Sequence, residues 1–160
     1  MSSLCGMLQY YTSRNKKTLV LRNPMQLKTT STYVFWGKRM LLIKRSPQDK
    51  NLPCYWEAPA GHVDCVCPYG DSITARQEAL RELREETGII LKPCALRFLP
   101  AESSNTHSAF IVHLRSPFKP KVRLSFEHTN ALWVHPKLAR RFKLLRPEVR
   151  KFIEDKLDDQ

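Results

Sequence analysis

The run Glu78-Ala79-Leu80-Arg81-Glu82-Leu83-Arg84-Glu85-Glu86-Thr87-Gly88-Ile89 reads as the second half of an amphipathic helix with its stop signal attached. Ala75, Ala79, Leu80 and Leu83, with Ile73 ahead of them, recur at the spacing of one buried stripe. Gly88 stands where a helix ends on a left-handed residue. Glu78, Glu82, Glu85 and Glu86 fall at i, i+4, i+7 and i+8, and so share one face. Glu78/Glu82 and Glu82/Glu86 are like-charged pairs one turn apart, each costing about 0.3 kcal/mol on a bare helix. A hard divalent cation bound to that face would reverse the sign. The charge pattern alone also fits a solvated face on which Arg81 pairs with Glu78 and Glu85.

Outward from this helix, the chain alternates strands and helices. The helix should begin between Asp71 and Thr74, where Asp71 or Ser72 can cap it and Thr74 with Gln77 has capping-box spacing. Upstream, Thr32–Trp36 and Met40–Lys44 are apolar and joined through Gly37-Lys38-Arg39, which predicts a β-hairpin. Arg45–Pro53 reads as a loop, Tyr55–Ala58 as a short strand, and His62–Gly70 as a loop rich in cysteine. Downstream, Ile89–Leu91, Ala95–Leu99, Ala109–Leu114 and Ala131–Val134 read as strands and Pro136–Arg141 as a short helix. Pro147–Leu157 predicts a terminal helix with Pro147 in its first turn and Val149, Phe152, Ile153 and Leu157 on its apolar side. The order predicts an α/β fold, a sandwich of helices around a mixed sheet.

Composition sets the outer bounds. The chain has 160 residues with 42% hydrophobic and 26% charged, as in an ordinary globular domain, and we expect a single domain over 1–160. No apolar run approaches the roughly 18 residues that a membrane span needs, and no secretory core is evident at the N-terminus. Cys5, Cys54, Cys65, Cys67 and Cys94 make an odd count, which predicts reduced thiols and an intracellular, cytoplasmic protein. Residues 1–22 lack acids and carry Ser, Arg and Lys, so they read as a basic arm, with Thr18–Leu21 as a short strand, or as a mitochondrial targeting segment. Cys54, His62, Cys65 and Cys67 do not follow a familiar zinc spacing, and free thiols are the expectation.

The net charge of +12 is uneven. Nine Lys or Arg precede the first acid, Asp49, and Lys119–Lys151 holds ten bases against Glu127 and Glu148. Between them, Asp49–Pro117 has nine acids and seven bases, gathered around the carboxylate helix. A basic surface around an acidic site suits a polyanion, either a small nucleotide or an RNA end.

The order Gly61 … Arg81-Glu82-Leu83-Arg84-Glu85-Glu86-Thr87-Gly88-Ile89 closely resembles the signature of the Nudix hydrolases, matched at every fixed position of its second half. Trp56-Glu57-Ala58-Pro59-Ala60-Gly61 resembles the family's approach to that motif, and Glu127-His128 with Trp133-Val134 its later segment. One departure stands out. The family places a Glu eight residues before the Arg, where this chain has Ile73; Gly70-Asp71-Ser72 looks like the usual Gly-Glu-Ser displaced by an insertion after Asp64. Asp71 or Glu78 would then stand in for the missing carboxylate.

The resemblance implies a Nudix-type α/β/α sandwich and a metal-dependent pyrophosphohydrolase. Glu82, Glu85 and Glu86, with the main-chain oxygen of Gly61, would hold magnesium (Mg2+) or manganese (Mn2+), and Arg81 would orient a helix carboxylate. The reaction would cleave a diphosphate linkage in a nucleoside diphosphate–X substrate, most simply a small nucleotide such as a (deoxy)nucleoside triphosphate or an ADP-ribose-like molecule. RNA 5′-end hydrolysis and a non-catalytic nucleotide- or RNA-binding module are the alternatives. Glu127 is the first candidate for general base, with Glu85 or Glu86 in its place otherwise. Phe35, Tyr55 and Trp56 are candidates for stacking on a base, while Trp133 reads as core. Lys44 and Arg45, at a strand end, are candidates for phosphate contacts.

Overall fold

The computed structural model describes residues 28–63, 72–104 and 106–158. The basic arm, Cys5, Cys65, Cys67 and Asp71 lie outside the described residues. The architecture is α/β, a mixed seven-stranded sheet between helices. The strands are β1 (Lys28–Trp36), β2 (Arg39–Arg45), β3 (Trp56–Glu57), β4 (Ala60–Val63), β5 (Arg97–Phe98), β6 (His107–Leu114) and β7 (His128–Val134). The helices are α1 (Ser72–Thr87), α2 (Pro136–Ala139) and α3 (Pro147–Asp158). No described helix is long and apolar enough to cross a membrane.

The predicted hairpin forms, and then it parts. Phe35 pairs with Met40 and Trp36 with Arg39 around Gly37, whose φ of 57° meets the positive-φ need of a tight turn. Beyond those two pairs β1 and β2 diverge, and the segment from Trp56 to Val63 fills the fork. β3 pairs with β2 (Ile43 with Glu57, Lys44 with Trp56), and β4 pairs with β1 (Thr30 with Gly61, Ser31 with Ala60). Between them, Thr32 donates its N–H to the Pro59 carbonyl at 2.8 Å. On its other edge β1 runs parallel to β6 from Thr29–His107 to Trp36–Leu114.

Alternation along the strands builds two cores. Tyr33, Met40 and Leu42 face α3 and meet Val149, Phe152 and Ile153. The Tyr33 and Phe152 rings stack with centroids 3.7 Å apart. Val34, Leu41, Ile43 and Phe110 face α1 and meet Ala75, Ala79 and Leu83. Leu83 is fully buried, so truncating it to Ala would cost about 3 kcal/mol.

Three local expectations need correction. His62 and Val63, expected to open the loop His62–Gly70, instead end a strand, Ala60–Val63, because the diverging hairpin leaves the first half of β1 with an unpaired edge. Ile89–Leu91 forms no strand. Ile89 instead turns into the α1-side core just past the helix end and donates its N–H to Thr87 Oγ1 at 3.2 Å, while Ile90 is 78% exposed. Ala95–Leu99 shrinks to Arg97–Phe98, because Pro93–Ala95 forms a 3-10 turn. Conversely, β1, β6 and β7 extend further toward their polar ends than their apolar runs suggest, taking in Thr29, Ser31, His107 and His128.

Candidate active site

Helix α1 is anchored by its apolar stripe and sealed at its C-terminus. Gly88, with φ of 71°, donates its N–H to the Arg84 carbonyl at 2.8 Å. The chain from Arg123 to Ser125 then crosses that end, with Arg123 N donating to Thr87 O at 2.8 Å and Ser125 N to Glu86 O at 3.3 Å. Those contacts satisfy carbonyls that the helix leaves free, and they bring Glu127 to the mouth of a cavity of about 650 Å3.

Glu82, Glu85 and Glu86 line that cavity together with Gly61, Arg81, Arg45 and Glu127. Arg81 holds three carboxylates at once: Nε donates to Glu78 at 2.8 Å, Nη2 to Glu82 at 2.8 Å and Nη1 to Glu85 at 2.9 Å. This cation offsets the like-charge cost along the face. Gly61 is required by shape, because a Cβ there would lie 2.0 Å from Glu82 Cδ. Glu86 turns inward, is 4% exposed, and accepts the Ala60 N–H at 3.0 Å through Oε2.

Behind this face lies a buried charge network that the sequence reading did not pick out. Glu57, on β3, is 1% exposed and accepts Nη1 of Arg45 and Nη1 of Arg146, each at 2.8 Å. His128 Nε2 lies 3.2 Å from Glu57 Oε1 and 3.7 Å from Glu86 Oε1. A carboxylate only accepts, so Nε2 carries the proton. Burial alone would push the Glu57 carboxyl up. The hydrogen bonds from His128 and Arg146 and the nearby guanidinium charges outweigh it and hold Glu57 below its usual range. Arg45 also pairs with Asp49, whose carboxyl that contact keeps well below the ordinary range.

Glu86 behaves in the opposite way. Burial, then the charges of Glu57, Glu82 and Glu127, push its carboxyl up to about 9 against the single opposing N–H of Ala60. Glu82 is raised too, first by burial and then by Glu85, Glu78 and Glu127, against the pull of Arg81. The protein's own cations therefore do not offset the cost of ionising the carboxyls on this side, and a bound cation would. An all-oxygen donor set of carboxyls gathered at one cavity fits a hard divalent cation. The hydroxyl of Thr30, in the same wall, is buried with no hydrogen-bond partner. Glu57, Glu86 and His128 also bring ligand atoms within 4.8 Å of one another. Glu57 is already engaged by two guanidinium groups, however, and the outward carboxylates have more free lone pairs.

A family model described as the NUDIX domain matches residues 25–156. The chain belongs to the Nudix hydrolase family. Solved structures agree on the fold. A MutT protein from Methanosarcina mazei Go1 superposes with a TM-score of 0.61 at 22% identity, covering 84% of this chain and 96% of that one. An Ap4A hydrolase from C. elegans gives 0.58 at 23% identity, covering 83% and 96%. The NUDIX domain of Shewanella oneidensis NrtR, crystallised with ADP ribose, gives 0.62 at 15% identity, covering 86% and 90%. None of the curated proteins matches the chain by sequence. As a Nudix protein it is a pyrophosphohydrolase of a family that uses divalent metal.

The remaining residues singled out from the sequence lie elsewhere in this Nudix fold. Phe35 stacks on His113 at 5.1 Å and packs toward Phe152. Trp56 packs on Phe142 with centroids 5.4 Å apart, and Lys44 sits over the Trp56 ring at 5.9 Å. None of the three lines the cavity, and neither does Glu78 or Tyr55. Trp133 is half-buried against the α1-side core, donating to Pro120 O at 3.2 Å. Cys54 and Cys94 are free thiols among the described residues. Two signals could have revealed the hidden network. Glu57 is a lone acid in an otherwise apolar strand. Arg146 precedes a helix N-terminus, where a cation opposes the helix dipole unless an acid meets it.

Proposed function

We propose that this protein hydrolyses a diphosphate linkage in a nucleoside diphosphate–X substrate, with Glu82, Glu85, Glu86 and the Gly61 carbonyl holding magnesium or manganese. The observation that supports this reading is the gathering of the motif carboxylates at one cavity mouth, with Glu86 pushed to about 9 while only protein groups surround it. A bound divalent cation would supply charge neutralisation for the diphosphate and a lowered pKa for attacking water. The chain's own groups do the rest. Arg81 keeps Glu82 and Glu85 turned toward the mouth. The Ala60 N–H fixes Glu86 on the inner side, with His128 Nε2 3.7 Å away. Glu127, exposed and lining the cavity, would take a proton from water entering from solvent and release it afterwards. Glu85, 54% exposed on its side chain, is the substitute if Glu127 is dispensable.

The test is turnover by the full chain with Mg2+ over a panel of ADP-ribose, a deoxynucleoside triphosphate, a dinucleoside polyphosphate, and capped and triphosphorylated RNA. Metal-dependent hydrolysis that collapses in Glu85→Gln and Glu86→Gln is the expected result. Turnover indifferent to both substitutions would sink the site assignment. Nucleotide binding without turnover on any member would make the protein a binding module.

A further inference from the structure

The cavity has a second wall that the hydrolytic reading leaves unused. Thr29 and Ser31 share one face of β1, and β6 sets His107 directly beside Thr29. Thr29 Oγ1 lies 2.8 Å from His107 Nδ1, and Ser31 Oγ lies 3.0 Å from His107 Nε2. All three residues line the cavity. Ser31 is also the cross-strand partner of Ala60, whose N–H holds Glu86, so this wall stands one strand from the carboxylates.

Its chemistry is specific. Thr29 and Ser31 are neutral, and burial lowers the affinity of His107 for a second proton, with Glu148 and Arg146 pulling in opposite directions. A neutral imidazole offers one donor and one acceptor, so one hydroxyl must donate to it and the other must accept. Both hydroxyls then keep a lone pair to accept with, and the one that accepts from the ring keeps its own O–H, the Thr29 hydroxyl also lying 3.4 Å from the Thr106 carbonyl. These three residues offer no positive charge to a phosphate, and the nearby Arg146 is already engaged by Glu57 and Glu148. Nor does the wall offer a flat apolar slot to a base: among the described residues, no Phe, Tyr or Trp lines the cavity. Nucleobase pockets draw on aromatic and apolar surface. A ring carrying several hydroxyl groups matches this wall, since such groups can donate to its free lone pairs and accept from its remaining O–H.

We propose that Thr29, Ser31 and His107 form a subsite for a hydroxyl-rich, uncharged group X, a sugar ring, and so favour sugar-linked diphosphates over nucleoside triphosphates. This rests on the hydrolase reading for the position of the diphosphate, but the subsite itself can be tested without turnover. With Mg2+ and the full chain, kcat/KM is compared for ADP-ribose and ATP. The wild type is expected to favour ADP-ribose, and in Thr29→Val and Ser31→Ala that preference falls about tenfold, through KM for ADP-ribose. Wild-type preference for ATP, or variants that alter both substrates equally, would overturn the proposal. Thr29 is half-exposed, so Thr29→Val keeps the test open should Ser31→Ala fail to fold. If no substrate is turned over, calorimetric binding of ribose 5-phosphate decides. Binding that Thr29→Val weakens about tenfold supports the subsite, and no binding by the wild type overturns it.

Discussion

The two ends of the cavity are built on opposite electrostatic terms. At one end Glu82, Glu85, Glu86 and Glu127 converge, and Glu86 is pushed to about 9 by burial and by its charged neighbours. At the other end Thr29, Ser31 and His107 satisfy one another without formal charge. The first arrangement is costly in the protein alone and gains from a cation. The second is self-sufficient and gains only from a partner that resembles water. Between them lies Glu57, as buried as Glu86 but held ionised by Arg45, Arg146 and His128. Two carboxylates in one site are therefore driven apart by their partners rather than by their depth.

The largest expected effect tests whether the charged end carries the chemistry. Glu86→Gln should lower metal-dependent turnover about a thousandfold, in line with the loss of a group that stabilises transition-state charge. The same substitution should raise the melting temperature of metal-free protein, because it removes a carboxyl that burial opposes. A drop in both would mean that Glu86 is structural.

Next comes Glu57→Ala. It leaves Arg45 and Arg146 facing a buried void, and urea unfolding should show a loss of about 3 kcal/mol. A loss under 1 kcal/mol would show that the network is solvated in solution.

A smaller effect is expected from pH. In the fold Glu86 keeps its proton up to about 9, whereas the unfolded carboxyl releases it near 4.5. Its contribution is therefore fully present below 4.5 and is lost as pH rises toward 9. Glu57, shifted down, acts in the other direction and only in acid. Metal-free protein should melt about 5 °C lower at pH 8.5 than at pH 6. Glu86→Gln should flatten that slope, and added Mg2+ should suppress it; a slope that survives both would point to another group.

Gly61→Ala sharpens the comparison at one carboxylate. The new Cβ displaces Glu82, so Mg2+ affinity by calorimetry should weaken about tenfold with the fold retained. Unchanged affinity would remove Glu82 from the ligand set. The smallest effect belongs to Gly88→Ala, about 1 kcal/mol by urea unfolding, from forcing a side chain to φ of 71°.

Most of the charged end was legible in the sequence because Glu82, Glu85 and Glu86 lie on one helix, where spacing alone places them on a face, whereas Glu127 came only from the resemblance. The fold class, the hairpin, α1 with its glycine stop and α3 were legible for the same reason: each is a local periodicity. The hydroxyl end was not. Thr29, Ser31 and His107 lie at the polar ends of strands, where an apolar window stops short. Their proximity comes from a parallel pairing that no local pattern encodes. Glu57, Arg146 and His128 were hidden similarly, since they come from three separated segments that meet only in the fork. The aromatic residues misled in the other direction. Phe35 and Trp56 have the chemistry to stack on a base, but Phe152 of α3 and Phe142, between α2 and α3, use their faces for packing.

The parting of β1 from β2 also bears on how the molecule is made. The hairpin and α1 are close in sequence and can begin to form early. The cavity wall joins Thr29 to His107 across 78 residues, and Arg146 reaches Glu57 across 89. Closing such long loops is slow and offers little return until most of the chain has arrived. A nascent chain that had emerged only through α1 would already carry the charged face, yet would lack β6 and the Arg146 segment that complete the cavity. A copy truncated after α1 should therefore display the motif without being able to use it.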